Sequence, residues 1–393
     1  MSNTEFIDTH VGEVIELAPF ILDQPGAAQY VIGPPGCGKS EIAPKVAEAA
    51  GLLWDPKWII NDVGKGPQER QGYGIPEAKT RDMWFSAPED LPTVDRVGDK
   101  PYLICVEELP NCDESVIALY HGIFNPDRDG HPTIGTHKLG KNIRFHFSGN
   151  SRKHGAPGAK VLSAPMITRL CTFSIKPNAQ HWMNVWAPEQ GFTPSIHYTS
   201  LYFTGGDGTD SVAVAQLNKV FAPPVPQPWD GWTFATPRGH AEVCRRTMPD
   251  SPLIKAIEEG TATYDQMQLV VQGFIGPDMA AETVSFARAM ANVLGTVAQL
   301  KKNEIDFGTL PRREQYAAAL GCYRVACREA RKDPDAAVVS GSLDWFIDGV
   351  ILNCSNELRS WIIKMATDES PLNGNKAPIP LQFHPKSEQI MGL

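Results

Sequence analysis

No stretch of this sequence approaches the roughly 18 consecutive apolar residues of a membrane-spanning helix. The amino terminus, Met1-Ser2-Asn3-Thr4-Glu5, has no signal-peptide pattern. These two absences predict a cytoplasmic protein without a membrane partner. The eight cysteines (Cys37, Cys105, Cys112, Cys171, Cys244, Cys322, Cys327 and Cys354) include no C-x-x-C pair. That disfavours a zinc site and leaves reduced cytosolic thiols as the plain reading. Positive charge is not in surplus either: 36 Lys and Arg stand against 45 Asp and Glu, a formal net charge of −9. A generally basic nucleic-acid binder is disfavoured, although a local basic channel stays open. No internal repeat is visible. What remains is an ordinary composition, 42% hydrophobic and 21% charged over 393 residues, long enough for two or three domains with a substantial core.

Against that background one stretch stands out. Gly33-Pro34-Pro35-Gly36-Cys37-Gly38-Lys39-Ser40 fills every fixed position of the phosphate-binding pattern G-x-x-x-x-G-K-[ST]. Ala28-Gln29-Tyr30-Val31-Ile32 before it reads as a buried strand, and Ser40-Glu41-Ile42 onward as a helix with Ile42, Val46 and Ala50 on one side. The glycines let backbone N–H groups wrap a triphosphate, and the helix amino terminus adds a positive dipole end. Lys39 would reach the β- and γ-phosphates of ATP, and Ser40 would hold Mg2+. Pro44 should bend the helix that it interrupts.

Four further strands follow: Trp58–Asn61, Tyr102–Val106, Ile143–Ser148 and Leu170–Ile175, with residues 1–27 an amphipathic lead-in. Residues 62–100 read as loops with short insertions, and residues 125–142 as an exposed hairpin. Val116, Leu119, Tyr120, Ile123 and Phe124 mark a helix by their i, i+3, i+4, i+7, i+8 spacing, with Asp113 as its N-cap. Strands alternating with helices predict a mainly parallel sheet covered on both faces. Beyond Lys176 the texture changes. A helix around Trp182–Trp186 gives way to Gly, Pro and polar turns over 187–232, and helices resume near Pro237, over Met279–Lys301, Glu314–Arg331 and Leu343–Met365. A tail rich in Pro, Asn and Gly closes the chain from Asp368.

A P-loop ATPase needs a carboxylate at a neighbouring strand end for magnesium, and a second to polarise water. Val106-Glu107-Glu108 supplies both: Glu107 for the metal and Glu108 for the water. Glu107 is one methylene longer than the Asp most such sites use. Asn150 ends a strand expected beside the P-loop strand, where its amide could hold the attacking water and sense the γ-phosphate. Ser148-Gly149-Asn150 is equally a simple turn.

Taken together these residues resemble the AAA+ ATPases, and among them the MoxR-like group. Residues 33–40 are similar to its Walker A, Ile104–Asn111 to its Walker B (usually D-E), and Phe147–Asn150 to its sensor 1. Leu162–Leu170 resembles the segment ending in an arginine finger, and Phe234-Ala235-Thr236-Pro237-Arg238 the start of the lid helix with the sensor-2 arginine. A weaker likeness continues through Gln272–Gly276.

The resemblance covers roughly residues 15–300. It implies an α/β fold, an AAA+ P-loop NTPase core with a parallel sheet over 1–176, followed by a helical lid over 177–300. C-terminal helices and a tail over 301–393 match only generically. It further implies a homo-oligomeric ring, usually a hexamer, with Mg-ATP between subunits. Arg169 would then reach the neighbour's γ-phosphate and Arg238 the phosphates of its own subunit, with Arg152 a competing finger.

Two loops could carry the output. Gln71-Gly72-Tyr73-Gly74-Ile75 is either a glycine turn with a packed tyrosine or an aromatic loop that grips a threaded chain. Residues 127–141, with His131, His137, Lys138 and Lys141, resemble the hairpin before sensor 1; the two histidines lack the company a metal site needs. The expected function is ATP hydrolysis that remodels or activates a protein client, with a von Willebrand-type A domain protein as a candidate partner. The rivals are a nucleic-acid motor or loader and a nucleotide-gated scaffold with low turnover.

Overall fold

The computed structural model describes residues 8–77, 82–150, 158–205, 211–223, 233–302, 304–310, 312–330, 341, 343–367, 381 and 386–391. The chain divides into two compact units, one formed by residues 1–178 with 224–229, the other by 179–223 with 230–393.

The first unit is built on a six-stranded, all-parallel sheet. Its strands are β1 (Asp8–Thr9), β2 (Ala28–Ile32), β3 (Ile59–Asn61), β6 (Leu103–Glu107), β9 (Arg144–Gly149) and β10 (Cys171–Ile175). Two short antiparallel hairpins, β4 (Gly74–Pro76) with β5 (Met83–Phe85) and β7 (Thr133–Ile134) with β8 (His137–Lys138), stand apart from it. The order across the sheet is β1-β10-β2-β9-β6-β3, so the P-loop strand is central and β9 lies between it and β6. Successive side chains point to opposite faces. Val31, Leu103 and Cys105 join one buried cluster with Val14 and Ala18 of α1 (Val11–Ile21) and Val46 of α2 (Ala43–Ala49). Tyr30, Ile104, Val106, Phe145 and Phe147 join the cluster on the other face with Val116 and Ile123. This is the doubly covered parallel sheet that near-continuous apolar strands require.

Several local expectations change. The lead-in contributes an edge strand, β1, as well as helix α1; two residues are too few to show a period. The helix after the P-loop becomes regular only at Ala43, which puts Pro44 in the first turn instead of the interior. Pro44 has no N–H to give Ser40, and Ala43 N–H bonds the Ser40 carbonyl instead at 3.2 Å. Pro44 therefore delays the helix and does not bend it. The segment after Asp113 is α-helical only over Glu114–Leu119 and tightens to a 3-10 turn over Tyr120–Ile123, without a side-chain cap from Asp113. The β7–β8 hairpin is not the exposed one expected, since Ile134, His137 and Leu139 are buried.

The second unit is helical. Residues 187–232 are not only turns: helices Ile196–Gly205 and Ser211–Phe221 fall there. Their buried Tyr198, Leu201, Leu217 and Phe221 sit among inward-facing Ser, Thr and His, which blurs the apolar period. The helix expected over Leu343–Met365 is interrupted: a π turn over Ile347–Ile351 ends before Asn353-Cys354-Ser355, and a new helix runs Asn356–Thr367. Ser355 Oγ accepts from Leu358 N–H at 3.3 Å, a local cap that restarts the helix. One buried cluster draws on residues between 179 and 287 and another on residues between 286 and 390.

Candidate nucleotide site

The loop 33–40 leaves the carboxyl end of β2 with Gly36 at φ 71° and Gly38 at φ 89°, conformations that a side chain would strain. Gly33 is fixed by a close approach: a Cβ there would lie 2.7 Å from Ile175 Cγ1 and 2.9 Å from the Ile175 carbonyl oxygen. Lys39 is only 6% exposed. Its ammonium donates to the carbonyls of Gly33 at 3.2 Å and Pro34 at 2.8 Å, and to Asn150 Oδ1 at 2.7 Å. These are neutral oxygens on the loop that would surround a polyphosphate.

Asn150 connects this cation to the proposed water activator. Its Nδ2 donates to Glu108 Oε1 at 3.0 Å and Oε2 at 3.1 Å. A carboxylate only accepts and an ammonium only donates, and an amide, which does both, can serve the two at once. Lys39, Glu108 and Asn150 belong to three separate motifs in the sequence; parallel β2–β9–β6 pairing brings them into one hydrogen-bonded row. Glu108 has φ 54°, the one positive φ outside glycine among the described residues. For a side-chain-bearing residue this backbone costs roughly 1–2 kcal/mol and marks a constrained turn. Burial first, and then the Glu108 carboxylate, raises the Tyr30 phenol above its ordinary range.

Glu107 closes β6 in register with Asn61 of β3. Ser40 Oγ is 3.2 Å from Ser148 Oγ of the intervening β9. The hydroxyl and the carboxylate are hard oxygen donors that suit magnesium, and no group of three or more His, Cys, Asp or Glu among the described residues could hold an ion alone. An ion held by these two groups would need its other ligands from phosphate and water.

The sequence reading missed three supports. His146 and Gln29 are fully buried beneath the loop. His146 Nε2 is 2.9 Å from the Lys39 carbonyl, and its Nδ1 is 2.7 Å from Gln29 Nε2. The nitrogen facing the carbonyl must donate, so the other accepts from the Gln29 amide. Alternation in β9 carried the signal: Phe145 and Phe147 face one way, His146 and Ser148 toward the P-loop. The third is Asn111, whose Nδ2 donates to Glu108 Oε2 at 2.7 Å.

Burial holds the His146 pKa down to about 4. Between that value and the ordinary 6.5 of an unfolded histidine, the unfolded chain binds the extra proton. Stability is therefore expected to fall as pH drops from 6.5 toward 4, by at most about 1.4 kcal/mol per pH unit from this residue. Thermal melts across that range should show a shallower acid loss for His146→Gln, which keeps an amide donor. An unchanged slope would count against this placement of the proton.

Arg169 lies elsewhere. It is exposed and folds back on Pro165, its Nη1 3.1 Å from that carbonyl. It precedes Cys171, which pairs with Gln29, whereas the P-loop starts beyond Ile32 at the other end of the sheet. The length of β10, roughly 16 Å, separates the two levels. Arg238 belongs to the second unit, exposed in the first turn of the helix Pro237–Arg246, whose N-cap Thr236 accepts from Gly239 N–H at 3.0 Å. Arg152 lies outside the described residues.

The packed-tyrosine reading of Gly72-Tyr73-Gly74 does not hold, because Tyr73 is 81% exposed at the base of the β4–β5 hairpin. Ile75, Met83 and Trp84 are exposed beside it. The base itself is closely packed. Gly72 has φ 77°, and a Cβ there would lie 1.7 Å from the Ser86 carbonyl oxygen. Buried Arg70, in α3 (Pro67–Gln71), binds Asp90 through Nη1 at 2.7 Å and Asp62 through Nε at 2.7 Å. Tyr120 Oη adds a 2.5 Å hydrogen bond to Asp62. Burial opposes the charge on Arg70, but the hydrogen bonds it donates to Asp90 and Asp62 outweigh this and raise its pKa. In the second hairpin, His131 Nδ1 meets the Leu139 carbonyl at 2.8 Å and His137 Nε2 the Gln71 carbonyl at 2.7 Å, so both rings bind main chain.

No family model matches the chain, and no curated protein matches it. Among solved structures it is similar to NtrX from Brucella abortus, at 12% identity over 86% of this chain and 67% of that one, with a TM-score of 0.31. At that level neither sequence nor shape assigns a family, and the residues of the site carry the reading. Among the described residues no helix is long and apolar enough to cross a membrane.

Proposed function

We propose that this chain is an AAA+ ATPase of the MoxR-like kind, which binds Mg-ATP at the loop 33–40 and hydrolyses it in a ring, most simply a hexamer. The observation that carries this reading is the row Lys39–Asn150–Glu108, which sets a phosphate-binding cation and a carboxylate on one amide. Loop N–H groups and Lys39 bind the phosphates. Ser40 and Glu107 would hold the magnesium ion, which would supply charge neutralisation at the phosphates. Glu108 accepts a proton from water, the water oxygen bonds to the γ-phosphorus, and the bond to the β-phosphate oxygen breaks with its electron pair leaving on ADP. Asn150 orients the water. Arg169 serves the neighbouring subunit's site, and Arg238 the phosphates of its own.

The work performed is the remodelling of a protein client in the cytoplasm, with a von Willebrand-type A domain protein as the partner class that the family resemblance implies. The exposed Tyr73, Ile75, Met83 and Trp84 on a hairpin with a closely packed base support an apolar grip on a polypeptide. Glu108→Gln is the test. It should bind ATP as the unmutated protein does, hydrolyse it at least about tenfold more slowly, and retain its client on co-purification in ATP. Unchanged turnover would remove Glu108 from the chemistry.

A further inference from the structure

Asn150 is asked to do two things at once, and Asn111 only one. The turn that carries Asn111 is fixed on every side. Its N–H bonds the Glu108 carbonyl at 2.8 Å, closing a 3-10 turn over Leu109–Asn111. Leu109 and Pro110 are buried, and the Pro110 carbonyl accepts from Lys160 N–H at 2.8 Å. Gly149 is pressed against the same turn: a Cβ there would lie 2.6 Å from Pro110 Cδ. The left-handed backbone of Glu108 is the entry to this turn. Main chain and side chain of Glu108 are thus both tied to Asn111, by the 2.8 Å turn bond and the 2.7 Å amide–carboxylate bond.

We infer that Asn111 is a positioning residue for hydrolysis, holding Glu108 Oε2 so that Oε1 is presented to the attacking water. The inference rests on the ATPase reading above. Asn150 donates to both carboxylate oxygens in an arrangement where its own Oδ1 accepts from Lys39. A γ-phosphate draws the ammonium away and gives the Asn150 amide a new partner, so its hold on Glu108 is conditional on the nucleotide. The Asn111 bond involves no group that touches phosphate and survives the exchange. One fixed donor on one oxygen sets the carboxylate plane and leaves the other oxygen free to accept a proton.

Asn111→Asp and Asn111→Ala separate this role from simple turn formation. Aspartate matches asparagine in size and turn preference but donates nothing and repels Glu108. Alanine removes the donor without adding charge. Both variants should keep the affinity for ATP and the KM of the unmutated protein. kcat should fall about tenfold in Asn111→Ala and further in Asn111→Asp, with melting temperatures confirming that both fold. If Asn111 only shapes the turn, the order reverses, with aspartate active and alanine impaired; that order, or a KM rise matching the loss of kcat, overturns the positioning role. No turnover in the unmutated protein overturns the ATPase reading and this role with it, whereas an active Asn111→Asp beside an active parent overturns this role alone.

Discussion

Lys39→Ala is expected to lower the affinity for ATP by about 100-fold or more, equivalent to ~2.7 kcal/mol. The ammonium is held by the carbonyls of Gly33 and Pro34 and by Asn150 Oδ1, at distances of 2.7–3.2 Å. Trading these neutral acceptors for anionic phosphate oxygens turns bonds with one charged partner into ion pairs with two. The change to alanine forfeits that gain. It also leaves Asn150 Oδ1 without the cation that orients it, so residual turnover should fall along with binding. Titration of a fluorescent ATP analogue measures the effect, and near-normal affinity would remove the loop 33–40 from nucleotide binding.

The second large effect concerns Arg169, which we expect to act in trans. Arg169→Ala should bind ATP nearly as the unmutated protein does, yet hydrolyse it about 10³-fold more slowly. The sheet gives the reason. Arg169 stands at the start of β10, beside Gln29, while the loop stands past Ile32 at the other end of β2. A parallel strand has to be traversed to get from one to the other, beyond the reach of an arginine within one subunit. A neighbouring copy could bring its own Arg169 to this loop, leaving each site incomplete until two subunits meet. Mixing Arg169→Ala with Lys39→Ala subunits should then restore part of the steady-state ATPase activity, because an intact loop from one meets an intact arginine from the other. Mixed rings confirmed by mass that show no recovery would exclude the trans role and direct attention to Arg152.

Much of the site was legible because its parts are local. The spacing of Gly33, Gly36, Gly38, Lys39 and Ser40 specifies a backbone path within eight residues. An apolar run that stops at Glu107-Glu108 marks a strand end without any long-range information. β2 and β6 were readable for the same reason, each being a near-continuous apolar stretch with four buried residues in a row. The supports were not legible in this way. His146, Gln29 and Asn111 are ordinary residues in sequence. Alternation placed His146 on the same face of β9 as Ser148, yet nothing local says that the Lys39 carbonyl lies over that face.

The sequence by itself determined a glycine-rich loop with the phosphate-binding pattern after a buried strand, two carboxylates and an amide at the ends of other strands, and an α/β half followed by a helical half. Tertiary structure decided which strands are neighbours. Parallel pairing of β2 with β9 and of β9 with β6 joins residues 117 and 41 positions apart, and only that pairing makes Lys39, Asn150 and Glu108 one hydrogen-bonded row. It also decided that Tyr73 faces solvent, that the β7–β8 hairpin packs inward, and that polar-looking segments between Ile196 and Phe221 are helices. In each case the deciding contact is non-local. Burial of a face depends on what is packed against it, and that is fixed by chain crossings which no single window of sequence contains.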